Sequence, residues 1–191
     1  MGKTGALSPK AAVFLDRDGT INIDHGYVSD PSGVVLIDGA AKAVKRLNDR
    51  GIRVIVVSNQ SGVGRGYFTD EDVSAVNRRL AELMGLQGAR MDGIYYCPHH
   101  PDDGCECRKP KVGLFMKAAR EQGIDTGLLY VVGDKASDVG LARNINAKSV
   151  LVLTGAGPEE IKKLSGPPDF VAGGISGAVD WIIKDINGRM G

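Results

Sequence analysis

No run of about 18 apolar residues occurs in the 191-residue chain, so no membrane-crossing helix is expected. The basic residues of Met1–Lys10 are followed by no apolar stretch of the kind that drives secretion, so this segment does not read as a signal peptide and a cytoplasmic protein is expected. Excess charge of one sign is missing as well. With 24 Lys and Arg against 23 Asp and Glu the net charge is +1, which removes the electrostatic case for nucleic acid or an anionic membrane as partner. Cysteine is scarce and confined to Cys97, Cys105 and Cys107, an odd number that, in a chain without an export signal, argues against a disulfide framework. No internal repeat, low-complexity segment or linker interrupts the chain, and no gap is long enough for a large cap domain. One domain over residues 1–191 is therefore expected, and a monomer, since no unpartnered apolar helix face stands out.

Glycine, in contrast, is abundant. The 27 glycines sit mainly between apolar runs and indicate many tight loops. Those apolar runs are short and continuous, as in strands buried on both faces: Ala11 to Leu15, Ile52 to Val57, Gly93 to Tyr96, Leu128 to Val132 and Ser149 to Leu153, with a weaker one at Asp169 to Ala172. Between them lie helical patterns. Asp38 to Arg50 places Ala40, Ala43, Val44 and Leu47 on one face before Gly51. Thr69 to Met84 opens with Thr69 and Asp72 in capping-box positions and turns Val73, Val76, Leu80 and Leu83 inward. Val112 to Gln122, Ser137 to Asn144 and Ile175 to Ile183 complete the set, with Gly173 to Gly177 readable as a loop or as the start of the last helix. Strands alternating with helices predict an α/β fold: a doubly wound, mostly parallel, Rossmann-like sheet with helices on both faces.

In such sheets the chemistry lies beyond the carboxyl ends of the strands. Polar motifs follow the apolar runs there: Asp16-Arg17-Asp18-Gly19-Thr20, Ser58-Asn59-Gln60-Ser61-Gly62, Arg108-Lys109 after a Cys/His loop, and Gly133-Asp134-Lys135. Asp16 and Asp18 would repel one another, and a divalent cation is the simplest neutraliser, with Asp134 as a further oxygen ligand. Few carboxylates with open positions for water and phosphate suit magnesium. Phosphoryl transfer needs a nucleophile, a cation and an acid for the leaving group. Asp16 can attack phosphorus, Asp18 can act as acid and then base, Ser58 can bind phosphoryl oxygens and Lys109 can neutralise their charge.

The second constellation is Cys97-Pro98-His99 followed by Cys105-Glu106-Cys107. Its C-x-H…C-x-C spacing supplies four nitrogen and sulfur ligands, which closes a tetrahedral zinc shell and predicts a structural zinc that pins the loop over residues 97–110. His100 is one residue off the pattern and is expected at the surface or in the substrate pocket.

Taken together, Asp16 to Thr20, Ser58-Asn59, Lys109, and Gly133-Asp134 with Asp138 resemble the signature segments of the haloacid-dehalogenase superfamily. The resemblance implies a magnesium-dependent phosphatase with Asp16 as nucleophile and Asp18 as acid/base. Magnesium would be held by Asp16, the main-chain carbonyl of Asp18, and Asp134. The stretches Asp16 to Val28, Asn59 to Thr69 and Asp92 to Pro101 resemble the branch acting on heptose bisphosphates. That implies substrate contacts from Asp24, His25, Gly26 and Tyr27, from Ser58, Asn59, Gln60 and Ser61, and from Arg108, Lys109 and Lys135. The zinc loop, with only five residues between His99 and Cys105, is more similar to the branch acting on histidinol phosphate. A non-catalytic zinc-stabilised binding module on the same fold would have lost one of Asp16, Asp18 or Asp134, and all three are present.

Overall fold

The computed structural model describes residues 11–124 and 127–190; the Met1–Lys10 segment lies outside them. Six strands form one sheet: β1 (Ala11–Leu15), β2 (Arg53–Asn59), β3 (Gly93–Cys97), β4 (Leu128–Gly133), β5 (Lys148–Val152) and β6 (Phe170–Ala172). Their order is β3-β2-β1-β4-β5-β6 and every pairing is parallel, so the expected doubly wound topology holds and the sheet is wholly parallel rather than mostly so. The order reverses at β1, which lies between β2 and β4. A crevice opens outside the strand ends at such a switch point.

The alternation of side chains along β1 divides the core. Val13 and Leu15 pack with α1 (Ala40–Asn48), α2 (Asp70–Leu86) and α6 (Ile175–Met190), while Ala12 and Phe14 pack with α3 (Gly113–Gln122) and α4 (Ala136–Asn144). Helix α2 carries the predicted capping box, with Thr69 and Asp72 exchanging hydrogen bonds. Its innermost row ends on Met84, with Leu83 only partly buried, because a 3.6-residue period drifts past Leu83 by the fourth turn. Helix α6 runs seven residues beyond the expected end at Ile183. Ile186 continues its apolar stripe, and Asp185 accepts from the Tyr130 hydroxyl at 2.7 Å and pairs with Arg189 at 2.8 Å. Gly173 and Gly174 precede this helix, which settles the glycine stretch as a helix start. A one-turn α5 (Gly157–Glu160) follows β5. Among the described residues no helix is long and apolar enough to cross a membrane.

Candidate active site

Asp16, the first residue beyond β1, donates its backbone N–H to the Val132 carbonyl at 2.8 Å, which fixes its side chain at the switch point. Lys109 Nζ spends its three protons there: on Asp16 Oδ1 at 2.9 Å, Asp138 Oδ1 at 2.6 Å and the Val57 carbonyl at 2.7 Å. Lysine and both carboxylates are almost wholly buried. Burial alone would push the Asp16 carboxyl up, but the Lys109 and Lys135 charges and the Lys109 hydrogen bond hold it below the usual carboxylate range. Burial likewise opposes the Lys109 charge, and Asp138 and Asp16 together still hold it above the ordinary lysine value. The site therefore presents an ionised carboxylate beside a permanent cation.

Asp134 follows β4 and is fully buried. One oxygen accepts from the Ala156 N–H at 2.7 Å; the other, Oδ1, has no partner. Burial pushes its carboxyl up to about 7, with help from the Asp16 charge and against the pull of Lys135. A buried carboxylate oxygen without a donor is costly, and a cation would satisfy it. Oxygens of Asp16, Asp134 and Asp138 lie within 4.8 Å of one another, a spacing that fits a divalent ion. The backbone is shaped around Asp134: Gly19 (φ 81°) and Gly155 (φ 57°) both lie where a Cβ would strike its carboxylate.

One sequence expectation is corrected here. The Asp18 side chain is not a partner of Asp16 across a cation. The Arg17 guanidinium forks onto it, Nε at 3.1 Å from both oxygens and Nη2 at 2.8 Å from Oδ2. Asn22 Nδ2 adds a bond at 2.9 Å and Gln60 Nε2 another at 2.7 Å. Its charge is thus neutralised from within the chain, and Asp138 takes its place in the carboxylate trio. The expectation that Asp18 contributes its main-chain carbonyl is untouched by this arrangement.

A cleft of about 360 Å³ opens above the strand ends. It brings together Asp18, Asp24, Gly26, Tyr27, Asn59, Gln60, Ser61, Arg108, Lys109 and Lys135 of the expected set, and adds Ser137. Ser58 lies deeper, in a narrow recess shared with Asp16, where its hydroxyl accepts from Gln60 at 2.7 Å. His25 is exposed and does not line the cleft. Asn59 exchanges hydrogen bonds with the Lys109 backbone at 3.0 and 3.2 Å, so its amide positions the lysine. Arg108 has a buried Nη1 without a partner, and Lys135 is 3.5 Å from Asp24.

Several residues holding this site were not foreseen. Thr154 donates to the Gly19 carbonyl at 2.6 Å, and Gly155 and Ala156 close over Asp134. The signal was present as Thr-Gly-Ala-Gly directly after β5, the same polar-after-apolar rule applied to one more strand. Arg17, Asn22 and Gln60 as holders of Asp18 left no such mark: Gln60 reaches Asp18 only after folding, and nothing local marks Arg17 and Asn22 as turning onto it.

At the end of β3, Cys97, His99, Cys105 and Cys107 converge. His99 Nδ1 is 3.1 Å from Cys107 Sγ and 3.5 Å from Cys97 Sγ; the sulfur–sulfur distances run from 3.1 to 3.6 Å. A tetrahedron with 2.3 Å metal–sulfur bonds has edges of about 3.8 Å, so four donors already stand close to one shell. His100 is outside it, capping the turn Pro101–Asp103 through its side chain.

A wholly parallel sheet whose switch point carries Asp16, Lys109 and Asp134 defines a phosphoric monoester hydrolase of the haloacid-dehalogenase type. A HAD-hydrolase-like family model matches residues 106–178. The D-glycero-beta-D-manno-heptose-1,7-bisphosphate 7-phosphatase of Yersinia pestis is 44% identical over 184 residues, 92% of this chain and 90% of its own. The D-glycero-D-manno-heptose-1,7-bisphosphate 7-phosphatase of Thermosynechococcus vestitus is 39% identical, covering 95% of this chain and all of its own. The crystal structure of the B. bronchiseptica D,D-heptose 1,7-bisphosphate phosphatase with magnesium and phosphate superposes with a TM-score of 0.85 at 30% identity, over 92% of this chain and 99% of that one. The chain belongs to the heptose-bisphosphate 7-phosphatase family within the haloacid-dehalogenase superfamily.

Proposed function

We propose that residues 1–191 form one magnesium-dependent phosphatase domain that hydrolyses the 7-phosphate of D-glycero-D-manno-heptose 1,7-bisphosphate through a phospho-aspartyl intermediate on Asp16. The observation that carries this reading is the buried Asp16–Lys109 pair at the switch point, beside an Asp134 oxygen that lacks a partner.

In this mechanism an Asp16 oxygen attacks phosphorus, and the leaving alcohol departs with a proton from Asp18, which gives up part of the Arg17 fork to carry it. Water then attacks the aspartyl phosphate, Asp18 takes its proton, and inorganic phosphate leaves with Asp16 regenerated. Lys109 neutralises the phosphoryl oxygens, and Ser58 binds them in the recess. Asp16, the Asp18 main-chain carbonyl and Asp134 would hold magnesium, which would supply further positive charge against those oxygens. Arg108 and Lys135 suit the second phosphate: each is a cation on the cleft wall, and Arg108 retains an unused donor. Asp24 to Tyr27 and Asn59 to Ser61 shape the sugar-binding wall.

A structural zinc on Cys97, His99, Cys105 and Cys107 belongs to the same reading. Cys107 runs directly into Arg108 and Lys109, so the ion would fix the entry angle of both cations. The near-even charge gives no electrostatic case for nucleic acid as partner, and the working form is taken as a cytoplasmic monomer.

Phosphate release from both anomers of heptose 1,7-bisphosphate, side by side with histidinol phosphate, tests the assignment. A heptose anomer should be preferred. Preference for histidinol phosphate would show that the five-residue spacing in the Cys/His loop was the better guide to substrate.

A further inference from the structure

The cleft is lined mostly by charged and polar residues, and its one aromatic lining residue is the exposed Tyr27. Tyr27 and Tyr67 are 50% and 61% exposed, and their rings meet edge to face with centroids 4.9 Å apart and planes at 84°. They come from different strand ends, Tyr27 from the loop after β1 and Tyr67 from the loop after β2. Buried Phe68 lies beneath, its centroid 6.3 Å from that of Tyr27. The β2 loop is moulded on Phe68, since a Cβ on Gly62 would strike its ring, and Tyr67 donates its N–H to the Gly62 carbonyl at 2.8 Å. Tyr27 itself stands at φ 53°, a left-handed conformation that a bulky residue seldom takes. Such a conformation persists where surrounding contacts enforce it, and the Tyr67 ring is such a contact. Tyr67 backs Tyr27 from outside the cleft lining.

We propose that Tyr67 is a specificity-determining residue: it backs the Tyr27 ring, and that ring, which lines the cleft, forms an aromatic lip that receives the carbohydrate ring of a sugar phosphate. This rests on the sugar-bisphosphate reading above. The C–H face of a pyranose packs on an aromatic ring, whereas phosphates go to the cationic wall. An edge-to-face pair leaves at least one face of each ring free for that contact. The lip would thus favour cyclic phosphoesters over acyclic ones, a discrimination that Lys109, Arg108 and Lys135 cannot make by charge.

The test compares Tyr67→Ala and Tyr67→Phe with the unmodified protein on heptose 1,7-bisphosphate and on acetyl phosphate, a ring-free phosphoryl donor. Tyr67→Ala should lower the ratio of kcat/KM for the sugar to that for acetyl phosphate about fivefold, through KM, and Tyr67→Phe should restore it. An unchanged ratio overturns the lip, whether both activities are retained or both fall together through collapse of the loop. If the unmodified protein does not turn over heptose bisphosphate, the proposed function fails. The same ratio measured with mannose 6-phosphate then still decides the lip.

Discussion

The two ligand clusters of this protein are linked through Lys109, two residues after Cys107, and are stabilised in opposite ways. The carboxylate cluster sits on two strand ends and the first turn of α4, and Lys109 supplies a cation to Asp16 and Asp138 within it, as Arg17 does to neighbouring Asp18. The Cys/His cluster joins the last residue of β3 to the loop that follows it, and among the described residues no lysine or arginine side chain bonds to its donor atoms. Burial pushes the Cys97 thiol up, and that of Cys107 also rises. Cys105 moves down despite burial, because the Arg108 N–H and the neighbouring thiols favour its thiolate. The first cluster is therefore assembled by the sheet before any ion arrives, whereas the second has four donors crowded together with only a cation to reconcile them. Removing an ion from the first should cost activity; removing it from the second should cost structure.

The sharpest way to break this comparison is Asp16→Asn. Asparagine keeps the shape but cannot form an acyl phosphate, so turnover should fall by at least about 10⁴-fold. Lys109 retains Asp138 and the Val57 carbonyl as partners, so the thermal midpoint should stay within a few degrees. Substantial residual magnesium-dependent turnover would remove Asp16 from the nucleophile role.

Cys105→Ala acts on the other side. Zinc content measured by elemental analysis should fall well below one per chain, limited proteolysis should open the 97–110 loop, and kcat/KM should drop about tenfold as Arg108 and Lys109 lose their anchor. Purified protein that holds no zinc under non-chelating conditions would make the cluster a set of free thiols and end the contrast.

How much of this was legible beforehand follows from the range of the interactions. The strands were readable from continuous apolar runs and the main helices from apolar periodicity, Asp16 and Asp134 because polar residues directly follow those runs, and Lys109 because it closes the Cys/His loop that follows the third. The Cys/His cluster was readable from spacing alone. The neutralisation of Asp18 was not: two carboxylates two residues apart suggested a shared cation, and nothing local showed that Arg17 would turn inward and fork onto its neighbour. Thr154 to Ala156 carried the same polar-after-apolar mark beyond β5, but which neighbouring strand end they would serve shows only once β5 pairs with β4 and Ala156 donates to Asp134. Ile186 and Asp185 extended α6 for the same reason: the pairing of Asp185 with Tyr130 spans 55 residues.

The smallest expected effect sharpens the comparison most finely, because it reads the first cluster's ion through stability. Without a cation the Asp134 carboxyl titrates near 7 in the folded chain, against 3.8 for an ordinary aspartate. Between those values the folded state holds a proton that the unfolded state lacks. Its contribution to stability is greatest below about pH 4, falls as pH rises to about 7, and stays lost above that. Magnesium binds the ionised form and must displace that proton below pH 7. The rise in thermal midpoint on adding magnesium should therefore be a few degrees larger at pH 8 than at pH 6, while the chelator-sensitive stability of the Cys/His loop is followed separately by proteolysis. A magnesium increment that is the same at both pH values would mean that Asp134 is already ionised in the folded chain, and that the first cluster is neutralised by its lysines alone.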